Sequence, residues 1–343
     1  MGLKTVKICL VGRYFDLRNG GIGRFSMEMR DALLKRGYET VSFGTHRERD
    51  IGYFVYSAVE AAFTLPKGYD IYHCLSPIEA IYAPKASSIV TFHDLIPWLH
   101  LNKTETHYAQ GPMKQVKRLI SKHYFKAAAS MASKCSLIAC NSEHTRQELI
   151  EHLNVDETKV SVIRFGISQT LDPGPKKDKI FRIGTLSYLD PRKRIDILIQ
   201  AFLAAGIDGE LVIGGTGADY HRLAELARQH DERIKFVGFV PEEKLAEFYN
   251  SLDLFVFPTK VEGYGLPIVE AFACKKPVIV LHDAIMPDEI KSRCVVVDNL
   301  TEFLKNQKLT LDIERNYDFA KIHDWNSCVE DYTKLYQRVL ERK

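Results

Sequence analysis

The sequence lacks the features that mark several large classes of protein. No apolar run approaches the roughly 20 residues that a membrane-spanning helix needs, and no signal-peptide pattern follows the first residues. The seven cysteines include no CxxC pair, which argues against a zinc site and favours reduced, mostly buried thiols. No Asp-x-Asp motif occurs, so we expect no bound metal. These absences together predict a cytoplasmic protein.

Length and composition are those of an ordinary folded protein with two domains. The chain has 343 residues, of which 45% are hydrophobic and 27% charged, and single cores rarely extend over so many residues. Residues 1–170 carry 22 basic and 16 acidic side chains, whereas residues 171–343 carry 25 and 28. A basic front half indicates an anionic partner for that half without identifying it.

Short β-branched runs alternate with longer amphipathic stretches, a pattern typical of parallel sheets wound with helices. The predicted strands are Val6–Val11, Glu39–Phe43, Ile71–His73, Ser88–Phe92, Leu137–Cys140, Val160–Ile163, Ile180–Thr185, Glu210–Ile213, Ile234–Val237, Leu254–Phe257, Pro277–Val280 and Cys294–Val297. A linker is expected at Gly166–Lys179. The periodicity also predicts a helix with Ile22, Phe25, Met29 and Leu33 on its apolar face, and a final amphipathic helix at Ser327–Leu340.

The segment from Glu262 to Glu270 reads Glu-Gly-Tyr-Gly-Leu-Pro-Ile-Val-Glu and follows a predicted buried strand. Its proline opens a helix whose N-terminus, next to glycines that admit a ligand, suits a phosphate group. Because carboxylates facing a diphosphate would repel it, we expect Glu262 and Glu270 to bind hydroxyl groups. The plain alternative is that Glu262 is solvent-exposed and Glu270 lies on a helix surface.

Two glycine-rich turns also lead from a predicted strand towards a helix. Gly20 and Gly21 lie in the first, and Gly214 opens the second, Gly-Gly-Thr-Gly. Backbone N–H groups in such turns can cradle phosphate. Neither turn has the G-x-G-x-x-G spacing of dinucleotide-binding folds, which disfavours an NAD enzyme. A flexible loop and a simple tight turn remain the alternatives.

Charged and imidazole side chains follow two other strands. His93 comes directly after Ser88–Phe92, and Arg192, Lys193 and Arg194 lie in the segment that leaves Ile180–Thr185. Strand ends favour binding sites in parallel sheets, and three cations before a helix suit an anion. The alternatives are a structural histidine and cations that are merely solvated.

The stretch 113–131 carries basic residues on one side of a predicted helix. Lys114, Arg118, Lys122 and Lys126 recur every four residues, opposite an apolar face of Met113, Val116, Ile120, Tyr124 and Ala127. Such a helix can lie on an anionic membrane surface, at the inner face in this case. The alternative is the solvated face of a core helix.

The residues singled out above resemble those of retaining glycosyltransferases of family 4. Glu262 and Glu270 match that family's E-x7-E signature, and Val237–Pro241, with Phe239 inside it, is similar to its nucleotide-binding half. Gly20 and Gly21 match its N-terminal glycine turn, His93 its histidine near the donor sugar, and Arg192 and Lys193 its phosphate-binding pair. The sequence departs from the family at Thr185, where many members have Arg, so the resemblance does not settle which of the three cations binds phosphate.

The resemblance implies an α/β fold of the GT-B type, with two Rossmann-like, doubly wound domains facing an interdomain cleft. The acceptor-side domain would be 1–168, with the helix in 326–343 crossing back onto it, and 169–325 would bind the donor. His93, Glu262 and Lys193 would be catalytic. The remaining donor contacts implied are Gly20, Gly21, Arg192, Gly214, Phe239, Gly263, Tyr264, Gly265, Leu266 and Glu270.

The implied reaction is metal-independent transfer of a hexose-type sugar with retention of configuration. The donor would be a UDP-, GDP- or ADP-sugar, and the acceptor a glycan, a lipid-linked molecule or another hydroxyl compound, with no nucleic acid as a partner. Two alternatives stay open at this point. One is a GT-B nucleotide-sugar epimerase or hydrolase, and the other is a non-catalytic module that binds nucleotide sugars.

Overall fold

The computed structural model describes residues 6–13, 15, 20–44, 63–99, 123–229, 231–306 and 311–342. The chain divides into two compact units. The first holds the described residues up to Gly166 and those from Trp325 onward, and the second holds Ile167–Asp324. The domain limits expected from the sequence, after residues 168 and 325, differ from these by no more than two residues.

The first unit is built on a parallel sheet with the strand order β2-β1-β3-β4-β5-β6. Its strands are β1 (Lys7–Gly12), β2 (Glu39–Gly44), β3 (Ile71–Cys74), β4 (Ser88–Phe92), β5 (Leu137–Cys140) and β6 (Val160–Val162). Its helices are α1 (Gly20–Lys35), α2 (Ile96–Leu99), α3 (Glu143–Leu153) and the C-terminal helix (Trp325–Glu341), and residues 123–132 are also helical.

The C-terminal helix packs on the first unit, as the resemblance implied. Its apolar side, which carries Val329, Tyr332, Leu335, Tyr336 and Val339, is buried as predicted. A buried hydroxyl needs a hydrogen-bond partner. The Tyr332 hydroxyl lies 2.9 Å from Thr91 Oγ1, and the Tyr336 hydroxyl lies 2.8 Å from Nδ1 of His73. The helix is therefore joined to β3 and β4 by polar as well as apolar contacts.

The second unit has the sheet order β12-β11-β10-β7-β8-β9, again all parallel. Its strands are β7 (Arg182–Leu186), β8 (Glu210–Gly214), β9 (Ile234–Gly238), β10 (Leu254–Val256), β11 (Val278–Leu281) and β12 (Val295–Val297). Its helices are α4 (Ile195–Ala205), α5 (Tyr220–Arg228), α6 (Glu242–Asn250), α7 (Leu266–Ala273), α8 (Asp288–Lys291), α9 (Leu300–Asn306) and α10 (Ile313–Lys321). Two apolar clusters share the strands of this sheet, as in a doubly wound unit.

All twelve predicted strands are present, each within two residues of its predicted bounds. The predicted linker begins at the boundary between the two units and contains no helix or strand, but part of it packs on the second unit. Ile167 and Leu171 are buried in the core of the second unit, and Lys176 is paired with Asp253 there. Two apolar side chains four residues apart are enough to bury part of this Pro- and Gly-rich segment, although they make no visible period in the sequence.

Two predicted helix faces need correction. In α1, Phe25, Met29 and Leu33 are buried, but Ile22 lies in the first turn and is 39% exposed. Most of the basic stretch lies outside the described residues. In its described part the buried side chains are those of Phe125, Ala128 and Ala129, followed by Ala132 just beyond it, whereas Ala127 is exposed. The apolar face predicted there is thus off by about one residue.

The seven cysteines are all free and buried, as predicted. Burial disfavours the charged thiolate. It raises the pKa of Cys9 and of Cys140 to about 12. These thiols behave as small apolar core residues.

Candidate functional site

The second sheet reverses its winding direction between β7 and β10. From β7 the chain winds outward through β8 to β9, and from β10 it winds outward through β11 to β12. Open parallel sheets bind ligands outside the carboxyl ends of their strands at such a switch point. The loops that leave β7 and β10 carry Arg192, Lys193 and Glu262, so three predicted site residues lie at this point.

The loop after β7 turns sharply, so that the neighbouring side chains of Lys193 and Arg194 contact different partners. A 3-10 turn at Pro191–Lys193 is followed by Arg194, whose backbone is left-handed with φ 53°. Lys193 is only 7% exposed, and its Nζ contacts the carboxylate of Glu262. The same ammonium lies 5.1 Å from the centroid of the Phe257 ring, a cation–π distance.

The loop after β10 places Glu262 against three donors. Its Oε1 accepts hydrogen bonds from Lys193 Nζ, from Thr259 Oγ1 at 2.7 Å and from Arg192 Nη1 at 3.3 Å. No hydrogen bond from a described residue reaches the second carboxylate oxygen, Oε2. Since an ionised carboxylate has about four acceptor positions, Glu262 can still accept from a ligand hydroxyl.

Charges and burial act against each other at this cluster. Burial raises the pKa of Glu262, but the charges of Lys193 and Arg192 and the hydrogen bonds outweigh it and hold that pKa below its ordinary value. Burial lowers the pKa of Lys193, and the Glu262 carboxylate opposes this without cancelling it. Glu262 is therefore an anion at neutral pH, held by two cations in a largely desolvated position.

Arg194 does not join this cluster. It donates from Nε to the carbonyl oxygen of Pro258 at 2.7 Å and from Nη2 to that of Thr259 at 2.8 Å. Its two terminal nitrogens also bind the two carboxylate oxygens of Asp283, each at 2.9 Å. These contacts separate Arg194 from Arg192 and Lys193, a distinction that the sequence left open.

Helix α7 begins beside the Glu262 loop. Gly265 precedes it with φ 96°, a conformation that suits glycine. Pro267 is the second residue of the helix, whereas the sequence suggested that it would be the first. The first-turn N–H groups of a helix have no partner within the helix. The side chain of Tyr264 is buried, with its hydroxyl 2.5 Å from His323 Nε2, so only its main chain can reach a ligand.

Neither glutamate of the segment fits the plain alternative. Glu270 is 4% exposed, and Tyr249 donates a hydrogen bond to its Oε2 at 2.8 Å. The Glu262 side chain is 11% exposed. A solvated surface glutamate would not be buried to this extent, because desolvating a carboxylate without partners is costly.

The two other predicted contacts of this unit have different surroundings. Gly214 ends β8, and a Cβ there would lie 2.7 Å from Leu186 Cδ1, a contact that a shift of this side chain could relieve. Phe239 is 49% exposed and, with Val240 and Phe248, lines an open groove of about 480 Å³. Phe239 thus offers an aromatic surface to a ligand, whereas Gly214 gives no such indication.

In the first unit, His93 follows β4 and is held at several points. Its Nε2 donates to the carbonyl oxygen of Leu75 at 2.8 Å, and its own carbonyl accepts from Asn141 Nδ2 at 2.9 Å. The rings of Phe25 and Phe165 lie edge-on to it, each with a centroid distance of 5.1 Å. Burial lowers the pKa of His93 to about 4. The imidazole is therefore neutral at pH 7, with its proton on Nε2 and an acceptor lone pair on Nδ1.

Gly20 and Gly21 form the start of α1. A Cβ on Gly21 would meet no atom within 4 Å, so packing within the described residues does not require a glycine there. Close approach of a ligand to the backbone would explain it. Asn19, which precedes these glycines, lies outside the described residues.

Sequence reasoning missed the partners that hold the site residues. Thr259 lies three residues before Glu262, in the loop that leaves β10, and its position could have identified it. Tyr249 lies 21 residues before Glu270, and Asn141 lies 48 residues after His93. No local pattern links such pairs, because the fold alone brings them together.

Two negative findings apply to the part of the chain that the structure describes. No three His, Cys, Asp or Glu side chains there converge as ligands for a metal ion. None of the helices found there is both long and apolar enough to cross a membrane.

Two family models match successive parts of the chain. The model for glycosyltransferase family 4 matches residues 52–170, and that for glycosyl transferases group 1 matches residues 169–317. Among curated proteins, O-antigen chain mannosyltransferase B of Escherichia coli is 25% identical over 229 residues, covering 59% of this chain and 60% of that protein. The chain spans less than two thirds of the length of the first curated relatives it matches.

Solved structures match over nearly the whole chain. Sucrose-phosphate synthase from Thermosynechococcus elongatus has a TM-score of 0.76 at 17% identity, covering 98% of this chain and all of that one. Anabaena HepE in complex with UDP and glucose has a TM-score of 0.70 at 16% identity, covering 97% and 100%. These similarities show that the two α/β units make a GT-B fold. Since both family models match as well, the chain belongs to glycosyltransferase family 4.

Proposed function

We propose that the protein is a retaining glycosyltransferase that moves a hexose-type sugar from a nucleotide-diphosphate sugar to a hydroxyl acceptor. The observation that carries this proposal is the cluster of Arg192, Lys193 and Glu262 at the switch point of the second sheet. It combines cations for a diphosphate with a carboxylate whose Oε2 accepts no hydrogen bond from the described residues and would accept one from a sugar hydroxyl. Nucleotide sugars present these two groups side by side.

The diphosphate would be bound by Arg192, Lys193 and the main-chain N–H groups of Gly263–Leu266. The start of α7 supports this, because its N–H groups and dipole favour an anion. During the reaction negative charge grows on the leaving diphosphate, and fixed donors stabilise that charge. If these groups supply all the neutralisation, turnover will not depend on an added metal ion and will survive a chelator.

The sugar and ribose would be bound by the two glutamates. Glu262 would accept from sugar hydroxyls through Oε2, and Glu270, held by Tyr249, would accept from the ribose. Phe239 would lie at the base, where its half-exposed ring offers an apolar surface. Gly214 would contribute its main chain only.

From the first unit, His93, Gly20 and Gly21 would contact the donor as well. A neutral His93 suits this role, because its unprotonated Nδ1 can accept from a sugar hydroxyl without adding positive charge near an oxocarbenium-like carbon. The start of α1 would offer N–H groups to the diphosphate. Mutating His93 tests its contribution to donor binding without altering the residues of the second unit.

In the proposed step the bond between the anomeric carbon and the diphosphate oxygen breaks. The acceptor oxygen bonds to the same carbon on the same face, and its proton passes to the leaving diphosphate. The product then keeps the anomeric configuration of the donor. The expected outcome is an α-linked product from an α-linked donor, which NMR of the product can establish.

The comparisons support a donor and acceptor class without fixing either. Anabaena HepE was crystallised with UDP and glucose, which favours a nucleotide sugar as the donor here, and UDP-, GDP- and ADP-sugars are the candidates. The Escherichia coli relative is named for the O-antigen chain, which favours a glycan or lipid-linked acceptor. Attachment of the stretch 113–131 to an anionic membrane stays a prediction from its basic residues.

A thermal-shift panel of UDP-, GDP- and ADP-sugars tests the donor, since a bound ligand raises apparent stability by mass action. The stabilising sugar is then incubated with and without acceptor mixtures while nucleotide release is measured. Release that depends on acceptor supports a transferase. Equal release without acceptor would indicate an epimerase or hydrolase, and binding with no release would indicate a binding module.

A further inference from the structure

Arg194 adopts a backbone conformation that few residues other than glycine accept. Its φ and ψ are 53° and 38°, in the left-handed region. That conformation strains an L-residue, whereas glycine adopts it at almost no cost. An arginine at such a position therefore needs contacts that offset the strain, and its side chain makes them.

The guanidinium of Arg194 binds two separate segments of the second unit. It binds both carboxylate oxygens of Asp283, in the segment after β11, and the carbonyl oxygens of Pro258 and Thr259, in the loop after β10. The planar fork of arginine suits such a bidentate carboxylate contact, and lysine cannot reproduce it. Asp283 also pairs with Lys260 Nζ at 2.6 Å.

The segment bound by Arg194 is the one that carries Glu262. Main-chain hydrogen bonds join the same segment to the loops after β7 and β11. Lys260 N donates to Arg192 O at 2.9 Å, and Glu262 N donates to Ile285 O at 2.8 Å. Arg194 therefore holds one end of the segment 258–262, while Arg192 and Lys193 bind its other end at Glu262. Neighbouring residues of one turn thus contact the segment at two points.

We propose that Arg194 and Asp283 form a positioning pair, which sets the segment 258–262 so that Glu262 meets Lys193 and presents Oε2 to the donor. This proposal rests on the proposed function, because the positioned group is the predicted donor-binding carboxylate. Neither Arg194 nor Asp283 contacts the substrate in this account. Their effect on turnover passes through the placement of Glu262.

The chain offers a matched control at the opposite edge of the same sheet. Arg233 lies just before β9, binds Asp231 through Nε and Nη2 at 3.0 and 2.6 Å, and donates to the carbonyl oxygen of Ile207 at 2.6 Å. Its substitution removes a similar set of hydrogen bonds far from the carboxyl ends of the strands. A purely structural role for Arg194 predicts the same behaviour for both variants.

The experiment compares wild type with Arg194→Ala, Arg194→Gly and Arg233→Ala. It measures the unfolding temperature, the affinity for the nucleoside diphosphate and the turnover of the donor. Displacement of a site group by about 1 Å can lower a rate roughly 100-fold. We expect kcat to fall about ten- to hundred-fold in both Arg194 variants and to stay within about two-fold of wild type in Arg233→Ala. Arg194→Gly, which relieves the backbone strain, should unfold at a higher temperature than Arg194→Ala yet remain as inactive.

The remaining outcomes separate the two proposals. If wild type binds and turns over donor while the Arg194 variants match Arg233→Ala in kcat, the positioning role is wrong and the proposed function stands. If Arg194→Gly recovers activity together with stability, the loss was structural and the positioning role is again wrong. If wild type neither binds nor turns over any nucleotide sugar, the proposed function fails and this role fails with it.

Discussion

At the scale of single residues, the proposed donor site centres on a lysine and a glutamate that are both nearly buried. Desolvating two charges costs several kcal/mol, and their attraction offsets this only when the geometry is good and further hydrogen bonds form. Lys193 and Glu262 meet these conditions with help from Thr259 and Arg192. A well-packed apolar pair would serve stability equally well, so the presence of this pair is better explained by ligand binding.

Replacing either member should separate binding of the diphosphate from binding of the sugar. Glu262→Gln keeps the side-chain volume, and we expect it to retain affinity for the nucleoside diphosphate while kcat with the whole donor falls at least ten-fold. Lys193→Ala should lose both. Calorimetric titration and a nucleotide-release assay measure the two quantities. Equal loss of diphosphate affinity in both variants would contradict the assigned roles.

The sequence predicted which residues form this cluster better than it predicted how they are held. Arg192, Lys193 and Glu262 could be found because each lies in a loop leaving a strand, where parallel sheets bind ligands. The separate task of Arg194 could not be found, because it depends on the left-handed turn and on Asp283, 89 residues away. Tyr264 was predicted as a donor contact, but its side chain pairs with His323 in the core.

At the scale of elements, the glycine turns show two different reasons for glycine. Gly215 has φ 111°, and a Cβ there would lie 1.8 Å from the carbonyl oxygen of Ser187. Gly37, just after α1, has φ 80° with no atom within 4 Å of a Cβ. The first glycine is required by packing and by conformation, the second by conformation alone.

These two positions make a matched pair of substitutions. Gly37→Ala should lower the free energy of unfolding by about 1 kcal/mol, the cost of a left-handed alanine. Gly215→Ala adds a clash with backbone atoms, and we expect a loss at least twice as large. Urea unfolding of both variants measures the difference. Equal losses would show that the loops around Gly215 and Ser187 move apart easily.

The strands were the most predictable elements because buried parallel strands read as short β-branched runs between turns. Helix faces were less certain. Ile22 fits the period of α1 but lies in its first turn, where the core does not reach it. In the described part of the stretch 113–131, the predicted apolar face included the exposed Ala127 in place of the buried Ala128 and Ala129. A period shows that one face is apolar, and only packing fixes which residues are buried.

The C-terminal helix should make folding sensitive to mild acid. Burial lowers the pKa of His73, which contacts Tyr336, to about 3. The folded state excludes a proton that the unfolded state binds below about pH 6.5, so stability is full above that pH and falls as the pH drops towards 3. The slope for one histidine is about 1.4 kcal/mol per pH unit.

The test is unfolding of wild type and His73→Gln between pH 7 and pH 5. Because glutamine does not titrate, the variant should lose less stability than wild type over this interval. His93, whose pKa is lowered to about 4, is present in both proteins and contributes equally to them. Parallel pH profiles for the two proteins would contradict a neutral, buried His73.

At the scale of the whole molecule, the chain has two similar doubly wound units and a C-terminal helix that belongs to the first. This division was expected from the repeated βα pattern, and the described residues fall into two units with nearly the same limits. The attachment of the last helix was implied only by the resemblance, because an amphipathic helix does not reveal which surface it covers. Most of the groups proposed to bind the donor lie in the second unit, which contains the cluster of Arg192, Lys193 and Glu262 at its switch point.

Titration of the full chain with UDP, GDP and ADP, alongside Lys193→Ala and Lys176→Ala, tests the central claim most directly. Lys176 is paired with Asp253 and its side chain is 19% exposed, so its removal matches the loss of a partly buried ion pair outside the cluster. We predict that wild type and Lys176→Ala bind one of the three nucleotides equally, while Lys193→Ala binds it at least ten-fold more weakly. Binding of none of them by wild type, or equal binding by all three proteins, would contradict the account.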